Sequence, residues 1–328
     1  MTAATISNLP YAALTPVGAE VYRGLTRSPK TLSPWLLYDA AGSRLFEEIC
    51  GLPEYYLTRT ERKLFARYGE EMVCLAAGGR RLSLLELGAG TAAKTGLLLQ
   101  AAVNHQGSAL YYAIDVSETA LTEAKIRLES EIPSLTVKPV VADYTSGFEK
   151  IAPRHGGEER RLVLYIGSSI GNFDPHEAEA LLAKVRASLA PGDGLLLGVD
   201  MVKDPHLLLA AYDDAAGVTA EFNWNVLRRI NRELDANFHP QLFRHHAIWN
   251  PRLSRIEMHL ESQINQRVRI GALDLEIPFS PGETIHTENS YKFSDRSARE
   301  MLLRAGFTVR KRWTDARNWF GVYLAAAA

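Results

Sequence analysis

Cysteine is scarce in this 328-residue chain, with only Cys50 and Cys74. Two isolated cysteines exclude a disulfide framework, a thiolate zinc site and a C-x-x-C redox pair. Each follows apolar residues, Leu45-Phe46-Glu47-Glu48-Ile49 in one case and Met72-Val73 in the other, which predicts buried free thiols. An excess of one charge is also missing. Thirty-seven Lys and Arg against thirty-eight Asp and Glu leave a formal charge of −1, so no basic footprint marks the chain for nucleic acid. No apolar run is long enough to span a bilayer, and Met1-Thr2-Ala3-Ala4-Thr5 lacks the basic-then-apolar order of a secretory leader. The nine histidines, including the adjacent His245 and His246, show no H-E-x-x-H spacing, so no metal site is expected. There is no G-x-S-x-G elbow and no phosphate-binding P-loop. The expectation is a cytoplasmic monomer that binds a small molecule, with neither membrane nor nucleic acid as partner.

What is present is an alternation. Pro10, Pro16, Pro29, Pro34 and Pro53 break the first 60 residues into loops and short helices, and a helical pattern follows from Arg59 to Leu75. Five short apolar runs then end at glycine or an acid: 82–87, 111–115, 135–143, 161–167 and 194–200. Helical stretches separate most of them, with Ser117 placed to cap the one that leads through Leu121. This rhythm predicts an α/β fold with a parallel sheet covered on both faces and ligands at the strands' carboxyl ends. From about 201 to 286 the rhythm breaks into a helix-rich stretch, Leu207 to Leu234, and three alternating runs around 245–249, 255–260 and 266–270. A helix (Asp295 to Ala305), a strand (Phe307 to Trp313) and a closing run (Phe320 to Leu324) then restore the pattern. A seven-stranded Rossmann-like sheet fits this ending better than a dehydrogenase sheet does. The predicted division is a ligand-binding domain of 61–200 plus 287–328 and an inserted α+β domain of 1–60 plus 201–286.

The turn Glu86-Leu87-Gly88-Ala89-Gly90-Thr91 sits between the first run and the helical stretch Ala92 to Val103. Gly88-Ala89-Gly90-Thr91-Ala92-Ala93 matches a dinucleotide turn, which NAD, FAD and S-adenosylmethionine share. Three acids narrow the choice. Asp115 closes the second run, where a carboxylate can accept both ribose hydroxyls. Asp143 closes the third, where it can meet an adenine amino group, with Tyr144 beside the ring. Glu86 precedes the first glycine, and a carboxylate there suits a cationic amino-acid tail better than a pyrophosphate. The set favours S-adenosylmethionine.

Several strings resemble the ergothioneine-pathway L-histidine Nα-methyltransferases over nearly the whole chain. They are Tyr38-Asp39-Ala40-Ala41-Gly42-Ser43, Leu52-Pro53-Glu54-Tyr55-Tyr56-Leu57-Thr58-Arg59-Thr60-Glu61, Gly167-Ser168-Ser169-Ile170-Gly171-Asn172, Ala211-Tyr212-Asp213-Asp214-Ala215-Ala216-Gly217 and Thr287-Glu288-Asn289-Ser290-Tyr291-Lys292-Phe293. Leu57 stands where the family usually has proline, and Tyr144 where phenylalanine is common. The resemblance implies cofactor contacts from Gly88, Lys94, Asp115, Asp143 and Tyr144. It implies histidine contacts from Tyr55, Asn172, Tyr212, Glu288 and Ser290, with Met258 beside the imidazole and Tyr38 near the amine. It also implies three successive methyl transfers to histidine's α-amine, giving hercynine.

Those residue types suit the chemistry. A free α-amine has a pKa near 8, so a neutral fraction exists without a strong base, and positioning supplies much of the rate. Asn172 and Tyr212 offer uncharged hydrogen bonds to the amino-acid end, while Glu288 and Ser290 can bracket an imidazole. Taken singly, Asn172 reads equally as a helix cap, Tyr212 and Met258 as core, and Glu288 as a surface charge. Two other readings stand beside this one. Another amino acid such as tryptophan could be the acceptor, or the fold could be a silent scaffold.

Overall fold

The computed structural model describes residues 10–143, 146–147, 151 and 159–327. The chain opens with α1 (Pro16–Leu25), the short strand β1 (Lys30–Thr31), α2 (Ala40–Gly51) and α3 (Tyr56–Ala77). There follow β2 (Arg81–Leu87), α4 (Gly96–Gln106), β3 (Ala109–Asp115), α5 (Glu118–Glu131), β4 (Leu135–Val141), β5 (Glu159–Tyr165), α6 (Pro175–Ala187) and β6 (Gly194–Asp200). Next come α7 (Pro205–Ala210), α8 (Val218–Leu234), β7 (Phe243–Asn250), β8 (Arg255–Ser262), β9 (Gln266–Ile270), β10 (Leu275–Phe279) and β11 (Thr284–Tyr291). Finally come α9 (Asp295–Arg304), β12 (Phe307–Thr314) and β13 (Phe320–Ala327).

Two compact units form. The first takes the described residues through Tyr55 together with Asp204–Ser290, and the second takes Tyr56–Lys203 together with the residues from Tyr291 onward. Sequence rhythm alone put Glu288 and Ser290 with the ligand-binding half; in the structure both lie in the inserted unit.

The second unit is built on a seven-stranded sheet in the order β12-β13-β6-β5-β2-β3-β4. The five strands β2 to β6 run parallel, and β13 pairs antiparallel with both β6 and β12. The last run is therefore more than a hairpin partner: it is wedged inside the sheet. Every residue of β6 is buried, as expected for a strand with both faces covered. Ser117 caps α5 by accepting from the Ala120 amide. Helix α4 starts at Gly96 rather than Ala92, because Ala92 takes a positive φ of 51° and prolongs the glycine turn. Neither cysteine is buried as expected, for Cys74 faces outward on α3 and Cys50 is half-buried.

The first unit has a four-stranded sheet, β1-β11-β8-β7, and a separate β9–β10 ladder. The expected helix from Leu207 to Leu234 is in fact two, α7 and α8, with Gly217 (φ 78°) just before α8. Phe222, Val226, Leu227, Ile230 and Leu234 form the buried stripe of α8, at the three- and four-residue spacing of an amphipathic helix. Phe238, Phe243 and Phe279 meet edge-on or tilted at centroid distances of 5.2–6.3 Å and join the β9–β10 ladder to the start of β7. Phe243 is completely buried. Phe243→Ala should cost roughly 3–5 kcal/mol, read from urea unfolding followed by circular dichroism.

Candidate active site

The second unit carries the glycine turn. Beyond β2 the amides of Gly88 and Ala89 both donate to the Ile114 carbonyl, at 2.9 and 3.0 Å, so the turn is stitched to the end of β3. Gly88 and Gly90 have φ of 67° and 51°, a region that glycine enters without steric cost. A Cβ on Gly90 would meet nothing within 4 Å, so the backbone there faces open space. The Gly90 amide donates to Asp115 Oδ2 at 2.9 Å, and the Ser117 amide donates to Oδ1 at the same distance. Asp115 is thus fixed at the carboxyl end of β3, half-exposed beside the turn. Asp143, exposed beyond β4, accepts from the Ser146 amide at 2.8 Å. Tyr144 lies outside the described residues. An open glycine backbone flanked by fixed, accessible carboxylates offers acceptors that fit the amino and ribose hydroxyl groups of S-adenosylmethionine.

Two residues of this region behave differently from expectation. Glu86 does not stand open to a cationic tail; it is buried, and its Oε2 accepts from Thr95 Oγ1 at 2.7 Å and from the Tyr111 hydroxyl. Burial, resisted by those hydrogen bonds and by Lys94, raises its pKa to about 7. A group only partly charged at neutral pH weakens the electrostatic argument that singled it out. Lys94 pairs at 2.5 Å with Glu61 Oε2, a carboxylate buried in α3. Glu61 also accepts from the Gly167 amide, at 2.9 and 3.0 Å, and so ties α3 and Lys94 to the end of β5. Sequence reasoning missed Glu61, because Arg59-Thr60-Glu61-Arg62-Lys63 reads as an exposed helical face.

Asn172 also belongs to the second unit. It ends a short 3-10 turn, Ser169–Asn172, that follows β5. Ser168 enters that turn with φ 61°, and its Oγ accepts from the Asp200 amide at 2.9 Å. A Cβ on Gly171 would lie 2.8 Å from the Tyr291 carbonyl, so only glycine lets this turn lie against that backbone.

The first unit holds the other expected acceptor residues. Tyr55, Tyr212, Met258, Glu288 and Ser290 are all buried, and Tyr38 is half-buried. The rings of Tyr55 and Tyr212 meet edge-on at 6.2 Å, and the Tyr212 and Ser290 hydroxyls are 2.7 Å apart. Burial drives the Tyr55 phenol well above its ordinary pKa, and the nearby Tyr212, Cys50, Tyr38 and Glu288 push it the same way. Tyr55 is therefore a neutral hydroxyl at any physiological pH.

Behind them runs a buried network that the sequence did not disclose. Thr287 Oγ1 donates to Asn223 Oδ1 at 2.7 Å and lies 3.0 Å from the Met258 carbonyl. Asn223 Nδ2 meets His245 Nδ1 at 3.0 Å, and His245 Nε2 meets the Tyr212 carbonyl at 2.8 Å. A carbonyl can only accept, so Nε2 carries the proton and Nδ1 accepts from the amide. One chain of hydrogen bonds thus sets the backbone at Tyr212, at Met258 and beside Glu288. The only sequence signal was alternation, which puts His245 inward on β7 and His246 outward.

Two outcomes follow. His245→Ala takes a partner from each of two buried groups and should cost roughly 2–6 kcal/mol, at about 1–3 kcal/mol for each unsatisfied group; urea unfolding measures it. Glu86 has a folded pKa raised from 4.5 to about 7, so the folded state binds the proton more tightly than the unfolded one. That contribution is complete below pH 4.5 and disappears as pH rises to about 7. Melting curves at pH 5 and pH 8 should therefore show Glu86→Gln gaining on the parent protein by roughly 3 kcal/mol, the equivalent of its pKa shift. An equal difference at both pH values contradicts the assignment.

A family model described as "Histidine-specific methyltransferase, SAM-dependent" matches residues 17–327. The chain is 43% identical over 306 residues to a histidine N-alpha-methyltransferase of Mycolicibacterium smegmatis, spanning 93% of each protein. It is 42% identical to the protein of that name from Mycobacterium tuberculosis, over 94% of each. Ergothioneine biosynthesis protein 1 of Neurospora crassa is 29% identical over 91% of this chain and 33% of its own length. The open glycine turn and the buried polar groups of the inserted unit thus occur in a chain that matches one family nearly from end to end, and it belongs to the S-adenosylmethionine-dependent, histidine-specific methyltransferases.

Proposed function

We propose that the protein carries out three successive transfers to the α-amine of L-histidine, giving hercynine, as the first step of ergothioneine biosynthesis. The observation that carries the reading is the Tyr55, Tyr212, Ser290 and Glu288 cluster, in which hydroxyls and one carboxylate are buried together in the inserted unit. Relatives named for histidine Nα-methylation and for ergothioneine biosynthesis support it. S-adenosylmethionine, held by Gly88, Gly90, Asp115 and Asp143, supplies an electrophilic methyl group on a sulfonium.

The protein's own residues have four tasks. Glu288 accepts a hydrogen bond from an imidazole N–H, and Ser290, oriented by Tyr212, meets the other ring nitrogen. Met258 supports this end from β8. Within the inserted unit Tyr55 orients the amine, with Tyr38 packed edge-on against Phe46 and Phe222 to shape the surroundings. None of these tasks is removal of a proton by a strong base. A phenol whose pKa is raised does not deprotonate an ammonium whose pKa is near 8. The amine loses its proton to water before each attack, and each transfer forms one N–C bond as the C–S bond breaks. An indole has a single ring nitrogen and leaves the Ser290 hydroxyl without its partner, which disfavours tryptophan as acceptor. The protein acts alone, as a cytoplasmic monomer.

Turnover with limiting histidine should release three equivalents of S-adenosylhomocysteine for each histidine, and a product that stops at the monomethyl stage ends the trimethylation reading. Glu288→Gln should raise KM for histidine by about 10- to 100-fold, since a hydrogen bond to a charged group is worth about 1.5–3 kcal/mol. Histidine turnover that survives this change intact rules out the imidazole assignment.

A further inference from the structure

The chain passes between its two units three times, at Tyr55–Tyr56, Lys203–Asp204 and Ser290–Tyr291. These crossings lie far apart in sequence, yet on the second-unit side they lead to one side chain. Asp200 ends β6 and is completely buried. Its two oxygens accept from the Tyr56 hydroxyl, at 2.9 and 2.7 Å. Its Oδ1 also accepts from Lys203 Nζ at 2.5 Å, and its Oδ2 pairs at 2.9 Å with Lys292 Nζ. Tyr56 is the first residue after one crossing, Lys203 the last before the next, and Lys292 the second after the third.

Lys203 Nζ also donates to the Tyr56 hydroxyl, at 2.7 Å, and lies 4.4 Å from the centre of the Tyr56 ring. The opposite side of the cluster is built by Trp319, which packs edge-on against Tyr56 at 5.2 Å. The backbone repeats the pattern, because the Phe293 amide donates to the Asp200 carbonyl and the Val202 amide to the Phe293 carbonyl. A core that only needed filling could use apolar residues here at lower desolvation cost. Ionic groups stand here instead, and the three side chains named above on the Asp200 carboxylate, Tyr56, Lys203 and Lys292, each lie at a crossing.

We propose that Asp200 is a positioning residue for the amino-acid side of the reaction: by holding Tyr56, Lys203 and Lys292 together, it fixes the second-unit end of all three crossings. Tyr55 and Ser290 are each the residue immediately across a crossing, and Asp204 caps α7, which leads to Tyr212. Asp200 therefore acts through the chain on residues given to histidine above, while Gly88, Gly90 and Asp115 depend on other bonds. The effect on histidine rests on that functional reading; the anchoring itself does not.

Tyr56→Phe removes one hydroxyl from the cluster and leaves the ring in place, so the full-length protein should fold. Hydrogen exchange followed by mass spectrometry reads the windows 54–58, 201–206 and 289–293 in the free protein. A shared anchor predicts exchange faster by about tenfold in all three windows, with the glycine turn at 88–91 unchanged. Acceleration confined to 54–58 overturns the proposal. In steady-state assays KM for histidine should rise by about tenfold, while the calorimetric Kd for S-adenosylhomocysteine stays within about twofold. An unchanged KM, or a parallel loss of both affinities, reduces Asp200 to an ordinary core residue. If the parent protein does not methylate histidine, the functional reading fails, and the exchange pattern still decides whether Asp200 anchors the crossings.

Discussion

At the carboxyl end of β6 one carboxylate receives a phenol and two ammonium groups where water does not reach. Removing a charge from water costs several kcal/mol per ion, and the cost is recovered only while every partner stays in place. Asp200, Lys203 and Lys292 are therefore mutually obligatory: removing any one strands the others. The same residue also donates its amide to Ser168, at the entry to the turn that carries Asn172. A seven-stranded sheet with β13 wedged beside β6 gives this carboxylate a rigid base, since Phe320 of β13 sits opposite Asp200 in the ladder.

Two other buried carboxylates in the second unit show what partner type decides. Glu61 has an ammonium and a backbone amide, so it acts as an ionic tie between α3, Lys94 and Gly167. Glu86 receives the hydroxyls of Thr95 and Tyr111, with no ammonium hydrogen-bonded to it among the described residues, and burial carries its pKa to about 7. The three occupy similar depth and have different roles. Asp115 and Asp143, at or beyond the ends of β3 and β4, remain open, and both are held by backbone amides that leave them accessible.

The parallel sheet was legible in the sequence because its strands are short apolar runs, each closed by a glycine or an acid. The glycine turn and Asp115 were legible for the same reason: a parallel sheet directs every strand's carboxyl end to one edge. The inserted unit was less so. β11 carries Glu288 and Ser290 in Thr284-Ile285-His286-Thr287-Glu288-Asn289-Ser290-Tyr291, whose polar majority hides a strand lying between β1 and β8. β10 includes Pro278, which argues against a strand, although its ladder with β9 forms nonetheless. Glu61, Asp200 and His245 were invisible as functional supports. Apart from Lys203, three positions from Asp200, the partners that hold them lie 22 to 144 positions away, and no local spacing encodes that. Glu86 was found but its direction was misjudged, since sequence position does not reveal that Thr95 and Tyr111 turn its carboxylate inward.

On the proposed reading, the inserted unit presents a hydroxyl, Tyr55, to the amine end of histidine and its carboxylate, Glu288, to the imidazole end. Three successive methylations change the amine's hydrogen-bonding capacity at each step, because every methyl group replaces an N–H donor. A carboxylate only accepts, so it would lose its partner as methylation proceeded and would hold the protonated amine in its unreactive form. A hydroxyl both donates and accepts and can rotate to suit. With its pKa raised, Tyr55 keeps its proton and can turn from donor to acceptor as the amine changes. The imidazole does not change during the reaction, so a fixed acceptor such as Glu288 can serve all three turnovers. On that reading specificity and repetition fall to different atoms: the end of histidine that never reacts is held by the Glu288 carboxylate, and the end that reacts three times by a hydroxyl able to reverse its polarity.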